Sequence, residues 1–234
     1  MLARRCYRSA KKTVKLNQLI VNDIFYTVSL KSKAGFKYTI KRKKSMTNVY
    51  EKCLEFENSE FLLRGVNSDD CEALLKVYSD EQSVTFFNSD NCHGDDFHYT
   101  TKERMKQAID FWEYSYTQKY FVRWTIVDKK TKLPIGTIEL FHRKSDDCFN
   151  DFGILRLDLK SEYERKDSIQ SILSLILIDA YKLFNCDFIA TKAIKKAKER
   201  RFALQELGFT ETNKTLIGHE GTEYNSYFER SINL

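Results

Sequence analysis

Residues 150–184 constrain this chain more than any other stretch. Asn150-Asp151-Phe152-Gly153-Ile154-Leu155-Arg156-Leu157-Asp158-Leu159 has the composition of a buried strand. After the charged turn Ser161-Glu162-Tyr163-Glu164-Arg165-Lys166-Asp167, the residues from Ser168 to Phe184 are apolar nearly all round. A helix with so little polar surface belongs in a core, covered on most of its sides. The same arrangement carries chemistry. The first turn of a helix holds backbone N–H groups without partners, and a strand feeding that turn makes a ready anion site.

At 234 residues and 42% apolar content, the chain can bury one substantial core. Its charge is unevenly divided. Residues 1–45 hold thirteen lysines and arginines against one acid, Asp23, a net +12; the remaining 26 basic residues face 32 acids, a net −6. The acidic part is not expected to bind nucleic acid through a general field, so any weak polyanion contact belongs to the basic arm. Residues 1–46 read as a disordered basic extension, or as an upstream stretch before a start at Met46, and 47–234 as a single domain. A transit peptide and a nucleic-acid-binding tail are the other readings of the arm. The six cysteines show no C-x-x-C spacing, which points to reduced thiols and a cytoplasmic location. No apolar run reaches the roughly 18–20 residues that span a bilayer, so no membrane partner is expected.

Hydrophobic periodicity then divides the domain. Residues 60–64 read as a short strand. Ser68 caps a helix over 69–79, in which Ala73, Leu74, Val77 and Tyr78 recur at helical spacing. A polar loop fills 80–99, and a second helix runs from about Thr101 to Gln118. Strands at 120–128, 134–142 and 150–159 are joined by short turns and form an antiparallel meander. After the apolar helix come a strand at 187–191, a helix from Ala193 to Leu207 stopped by Gly208, and a closing hairpin of 209–217 with 222–229. The order β-α-α-β-β-β-α-β-α-β-β gives an α/β (α+β) fold with a mixed, mainly antiparallel sheet and helices on both faces.

That order, together with Leu133-Pro134-Ile135-Gly136-Thr137-Ile138-Glu139-Leu140, Asp151-Phe152-Gly153 and Leu204-Gln205-Glu206-Leu207-Gly208-Phe209, resembles the GNAT superfamily of N-acetyltransferases over about residues 54–230. The branch that modifies N-terminal amines of ribosomal proteins looks closest. The resemblance implies acetyl-CoA as cosubstrate, lying between a splayed strand and its neighbour. Leu157, Asp158 and Leu159 would present backbone to its pantetheine. Arg165, Lys166, Asp167, Ser168, Ile169 and Gln170 would hold its pyrophosphate. Asp167 and Ile169 stand where the family's turn has small residues. A carboxylate about 5 Å from a phosphate repels it by roughly 3 kcal/mol at an effective dielectric of about 20. Alternatively, Asp167 caps the helix itself and fills the anion site. Leu204 aligns with the tyrosine that acts as general acid in some members.

Amine acylation needs a base near the thioester. Glu139 and Asp158 are the candidates, with His142 and Tyr163 as further titratable groups nearby. By analogy with the family, the loop between the first two helices shapes the acceptor pocket: Phe86, Phe87 and Tyr99 as apolar walls, Asp95 or Asp96 as attraction for an amine of unknown identity. Asn91 to His98 collects metal-ligand residue types but matches no metal spacing, so no metal is expected. The basic run Lys192, Lys195, Lys196, Lys198, Arg200, Arg201 reads as a solvated face or a cradle for the adenosine phosphate. The alternative to an enzyme is a GNAT-fold binding or interaction module that has lost acetyl-CoA.

Overall fold

The computed structural model describes residues 24–31, 37–44 and 48–232. The chain divides into two compact units, 1–47 and 48–234. In the first, β1 (Ile24–Lys31) and β2 (Lys37–Lys44) pair antiparallel, from Ile24 with Lys44 to Lys31 with Lys37. The rest of the expected extension lies outside the described residues.

The second unit runs β3 (Phe56–Glu57), β4 (Phe61–Gly65), α1 (Cys71–Tyr78), α2 (Glu81–Val84), α3 (Lys102–Thr117), β5 (Val122–Asp128), β6 (Leu133–Arg143) and β7 (Phe152–Leu159). It continues with α4 (Lys166–Leu183), β8 (Phe188–Lys192), α5 (Lys198–Glu206), β9 (Thr210–Glu211), β10 (Leu216–Ile217), β11 (Glu223–Tyr224) and β12 (Tyr227–Ser231). Eight strands form one sheet in the order β3-β4-β5-β6-β7-β8-β12-β9. Among the described strands of this sheet only β7 and β8 are parallel; the other pairs are antiparallel. The mixed, mainly antiparallel sheet is therefore the expected one.

The alternation of each central strand sorts the two faces. Val122, Trp124, Ile126, Ile138, Leu140, Leu155, Leu157 and Leu159 point to one side, where α4 buries Ile169, Ile172, Leu173, Ile176, Leu177, Ala180 and Tyr181 against them. Burying each large apolar side chain contributes about 1.5–3 kcal/mol, so this layer is the main source of stability. The residues of opposite parity, among them Arg123, Thr125, Thr137, Glu139 and Asp158, face α1 and α3, whose own cluster is built on Leu74, Tyr78, Met105, Ile109 and Trp112. Gly136 is required at the β6–β7 contact: a Cβ there would lie 2.2 Å from the carbonyl oxygen of Asp158.

Three expectations are corrected. The polar loop at 80–99 contains the short helix α2, capped by Asp80. α5 begins at Lys198, five residues later than its composition suggests, because the Ala193 N–H still donates to Ser226 O and ties the chain to β12. The closing hairpin is interrupted: β10 and β11 form a separate two-stranded ladder, while β9 and β12 join the main sheet. Gly208 does stop α5, at φ +85°.

Candidate active site

β7 and β8 pair only from Phe152 with Phe188 to Leu155 with Thr191. β7 continues to Leu159 along β6 alone, so the two parallel strands part after Leu155. Register decides which backbone groups this frees. Lys160 N–H donates to Ile135 O at 2.9 Å. In an antiparallel ladder the mutually bonded pairs then fall at Asp158–Thr137 and Arg156–Glu139, and the N–H and C=O of Leu157 and Leu159 point away from β6 into the splay. Among the described residues no strand pairs with them there, yet both leucines are fully buried. Their side chains fill the α4 core while their main chain lines the gap; Asp158, expected to present its backbone there as well, turns it to Thr137 on β6 instead.

The charged face of the sheet holds a network beside this gap. Arg123 donates through Nε and Nη2 to Glu139 Oε2, at 3.1 and 2.5 Å, and through Nη1 to Asp158 Oδ2 at 3.1 Å. Arg156 Nη1 donates to Glu139 Oε1 at 2.7 Å. Tyr78 reaches over from α1 and donates its hydroxyl to Asp158 Oδ2 at 2.8 Å. The two carboxylates are equally buried and differently held. Burial pushes the Glu139 carboxyl up, but Arg123 and Arg156 outweigh it and hold it below its usual range. Burial raises Asp158 above the usual range against the opposing pull of Arg123. Both Glu139 oxygens are taken, whereas Asp158 Oδ1 is buried without a partner. A free lone pair on a carboxyl of raised pKa can accept a proton at neutral pH far better than a doubly clamped carboxylate. His142 is engaged with Phe184 O and Asp151, and Tyr163 donates to Asp128.

At the other end of the gap, α4 starts at Lys166, with Arg165 at its N-cap and no side-chain cap. Asp167 is thereby one residue inside the helix. Its side chain is 92% exposed and does not fold back over the first-turn amides, so the capping alternative is corrected. The carboxylate on these amides comes from α5: Lys166 N–H donates to Glu199 Oε2 at 2.9 Å. Lys166 Nζ and Gln170 Nε2 both donate to Glu206. Ile169 is in the core, Ser168 is half-buried, and Arg165 is exposed.

A strap of residues 80–92 crosses the gap. Asp80 Oδ2 accepts from Ser161 N–H at 3.1 Å, and α2 lies against β7. Burial pushes the Asp80 carboxyl up, but bonds from Ser161, Ser83 and Gln82 outweigh it and leave it at about 2. Further along, Phe86 O accepts from Arg200 Nη1, and Arg200 pairs with Glu164 through Nε and Nη2 at 2.7 Å each. Asp90 is held by Lys192 and Tyr227. Arg200 and Lys192 thus turn inward from the run that read as a solvated face.

The expected acceptor residues are dispersed. Phe87 and Tyr99 pack on Tyr78, with ring centroids 5.2 and 5.3 Å away. Phe86 is half-buried, with Lys196 over its ring. Asp95 accepts from Tyr99 and Arg104, and the exposed Asp96 accepts from the His98 N–H. Among the described residues, no group of three or more His, Cys, Asp or Glu is placed to hold a metal, and no helix is long and apolar enough to cross a membrane. Sequence reading missed Tyr78, Asp90, Arg123, Thr137, Arg156, Glu164 and Tyr227. Arg123 and Arg156 did leave a signal, as charges set inside apolar strands.

A parallel pair that splays beside a buried helix, in an otherwise antiparallel sheet, defines an acyl-CoA N-acyltransferase architecture. A sequence model of the acetyltransferase (GNAT) domain matches residues 60–210, and the chain belongs to that family. A search of curated proteins by sequence finds no match. Solved structures with the same fold include the ribosomal-protein-S5-alanine acetyltransferase of Vibrio fischeri, at 18% identity and TM-score 0.55 over 77% of this chain and 97% of that one. RimJ of Mycobacterium smegmatis, in complex with CoA-disulfide, matches at 11% identity and TM-score 0.57 over 74% and 82%. A GCN5-related N-acetyltransferase of Brucella melitensis matches at 13% identity and TM-score 0.58 over 78% and 80%.

Proposed function

We propose that this chain transfers an acyl group, acetyl in the family's ordinary form, from acetyl-CoA to a primary amine. The observation that carries the reading is the parting of β7 from β8 after Leu155, which turns the main chain of Leu157 and Leu159 into a gap leading to the first turn of α4. Buried backbone groups without strand partners call for a ligand that can bond them, and the two amides of a pantetheine arm suit them. Arg165, Lys166, Ser168 and Gln170 flank the place for a diphosphate.

Asp158 is the group suited to the proton. The amine nitrogen attacks the thioester carbonyl carbon and the carbon–sulfur bond breaks. The nitrogen's proton passes to Asp158 Oδ1 and from there to the departing thiolate, giving an amide and free CoA thiol. Glu139 serves to hold Arg123 and Arg156. The ribosomal-protein acetyltransferase among the structural neighbours favours a protein N-terminus over a small-molecule amine as acceptor. A cytosolic setting suits the free thiols of Cys53, Cys71, Cys92, Cys148 and Cys186.

A second reading, a GNAT-fold binding module without acetyl-CoA, is favoured by one observation. Glu199 sits on the Lys166 N–H while Glu164 and Arg200 are clasped across the same end of the gap. Titration calorimetry with acetyl-CoA separates the two. Micromolar binding supports the enzyme; no heat at millimolar ligand, with no rise in melting temperature, supports the module.

A further inference from the structure

Where β7 and β8 part, the first residue past the last pair is a cation on each strand: Arg156 after Leu155 and Lys192 after Thr191. Both turn to one occupant, Asp90 of the strap. Lys192 Nζ donates to Asp90 Oδ1 at 2.5 Å, the Tyr227 hydroxyl to Oδ2 at 3.0 Å, and Arg156 Nη2 to the Asp90 carbonyl at 2.8 Å. The Asp90 side chain is 8% exposed. Tyr227 is fully buried, and the Nε–H of Arg156 is buried with no acceptor.

We infer that Lys192, Tyr227 and Arg156 form a carboxylate-binding cage at the reactive end of the gap, with Asp90 as its resident occupant, and that the transferred acyl group carries a terminal carboxylate. The inference rests on the acyl-CoA reading. In that reading the donor enters at α4 and runs past Leu159 and then Leu157, so its acyl end arrives at Arg156 and Lys192. The strap lies across that path and must move aside. Its departure takes Asp90 away from Lys192. Glu139 still balances Arg156, but Lys192 is left without a countercharge in a mostly buried position, and an unpaired buried charge is strongly unfavourable. A methyl group arriving in the cage leaves that charge bare. A carboxylate replaces Asp90 oxygen for oxygen, one on the ammonium and one on the phenol, and gives the unused Arg156 Nε–H an acceptor.

The test is calorimetric titration of the full chain with acetyl-CoA and with succinyl-CoA, whose acyl group ends in a carboxylate. Succinyl-CoA is expected to bind at least about tenfold more tightly. Asp90→Asn removes the competing charge and should tighten both ligands while leaving the ratio unchanged, whereas Lys192→Met should bring it close to one. If Lys192→Met does not fold, Tyr227→Phe, which deletes one donor and little volume, should narrow the ratio in the same way. Equal or weaker binding of succinyl-CoA overturns the cage and leaves the acyl-CoA reading standing. Failure of both ligands to bind the natural sequence and Asp90→Asn overturns both.

Discussion

Asp158 and Glu139 lie on adjacent strands and face the same side of the sheet, yet their surroundings push their proton affinities apart, and the roles proposed for them follow that separation. Asp158 holds its raised pKa because ionisation is opposed inside the fold. An acid raised above its ordinary 3.8 contributes stability that is present below that value and is lost as pH rises through the folded value. At neutral pH its charge therefore opposes folding. Asp158→Asn should accordingly lower the transfer rate by about 10²–10⁴-fold while melting temperature holds or rises. Initial rates and scanning calorimetry check this, and an unchanged rate would remove Asp158 from the chemistry. Arg123 plays the opposite part: it is fully buried and donates to Glu139, Asp158 and Thr137. Arg123→Met should destabilise the fold by about 3–5 kcal/mol in urea unfolding, because Asp158 loses its cation and Glu139 one of its two. Adding Asp158→Asn should recover part of that loss, since Arg156 still balances Glu139. The carboxylates were legible in the sequence because a charged residue within an apolar strand stands out. Tyr78 was not, since it reads equally well as one more apolar contact of α1, and only its packing over Thr137 and Asp158 reveals the hydroxyl's use.

Most elements follow from periodicity alone, and the misplaced ones share a cause. α5 starts late and the closing hairpin is interrupted because contacts distant in sequence outweigh local pattern: Ser226 holds Ala193, and Asp147 holds the hairpin strand β10. Asp147 accepts from the N–H groups of Ile217, at 2.7 Å, and Phe149, at 2.9 Å, and is paired with Arg143. Burial pushes its carboxyl up, but Arg143 and the two N–H donors outweigh it and leave it at about 2. A carboxyl depressed in the fold gives stability present above its ordinary 3.8 and lost as pH falls through about 2. The hairpin should therefore loosen in that acid window while the sheet stays folded, seen as faster hydrogen exchange at Ile217 than at Leu157. Asp147→Asn should produce the same loosening at neutral pH. Exchange at Ile217 that does not change with acid would show the hairpin to be held by other contacts. The strap shows the same limit of sequence reading, since nothing in Asn88-Ser89-Asp90 predicts partners on β8 and β12 more than a hundred residues away.

At the scale of the whole molecule, charge and structure divide at the same place. The segment with net +12 ends at residue 45, and the compact unit with its own core begins at Asn48. Every side chain of the candidate site, from Tyr78 to Tyr227, belongs to that second unit. Its stability comes from the apolar layer between the sheet and α4, whose described members run from Val49 to Phe228. Residues 47–234 made alone should therefore melt within a few degrees of the full chain and bind acetyl-CoA equally well. Polyanion affinity should separate from both. Each neutralised phosphate adds to the salt dependence, and an acidic domain offers no such term. The full chain should be retained on a heparin column and eluted by moderate salt, whereas 47–234 should pass through. Retention of the shortened chain would place a basic surface within the domain. A large drop in its melting temperature would mean that the first 46 residues support the fold, and the division argued from charge would be wrong.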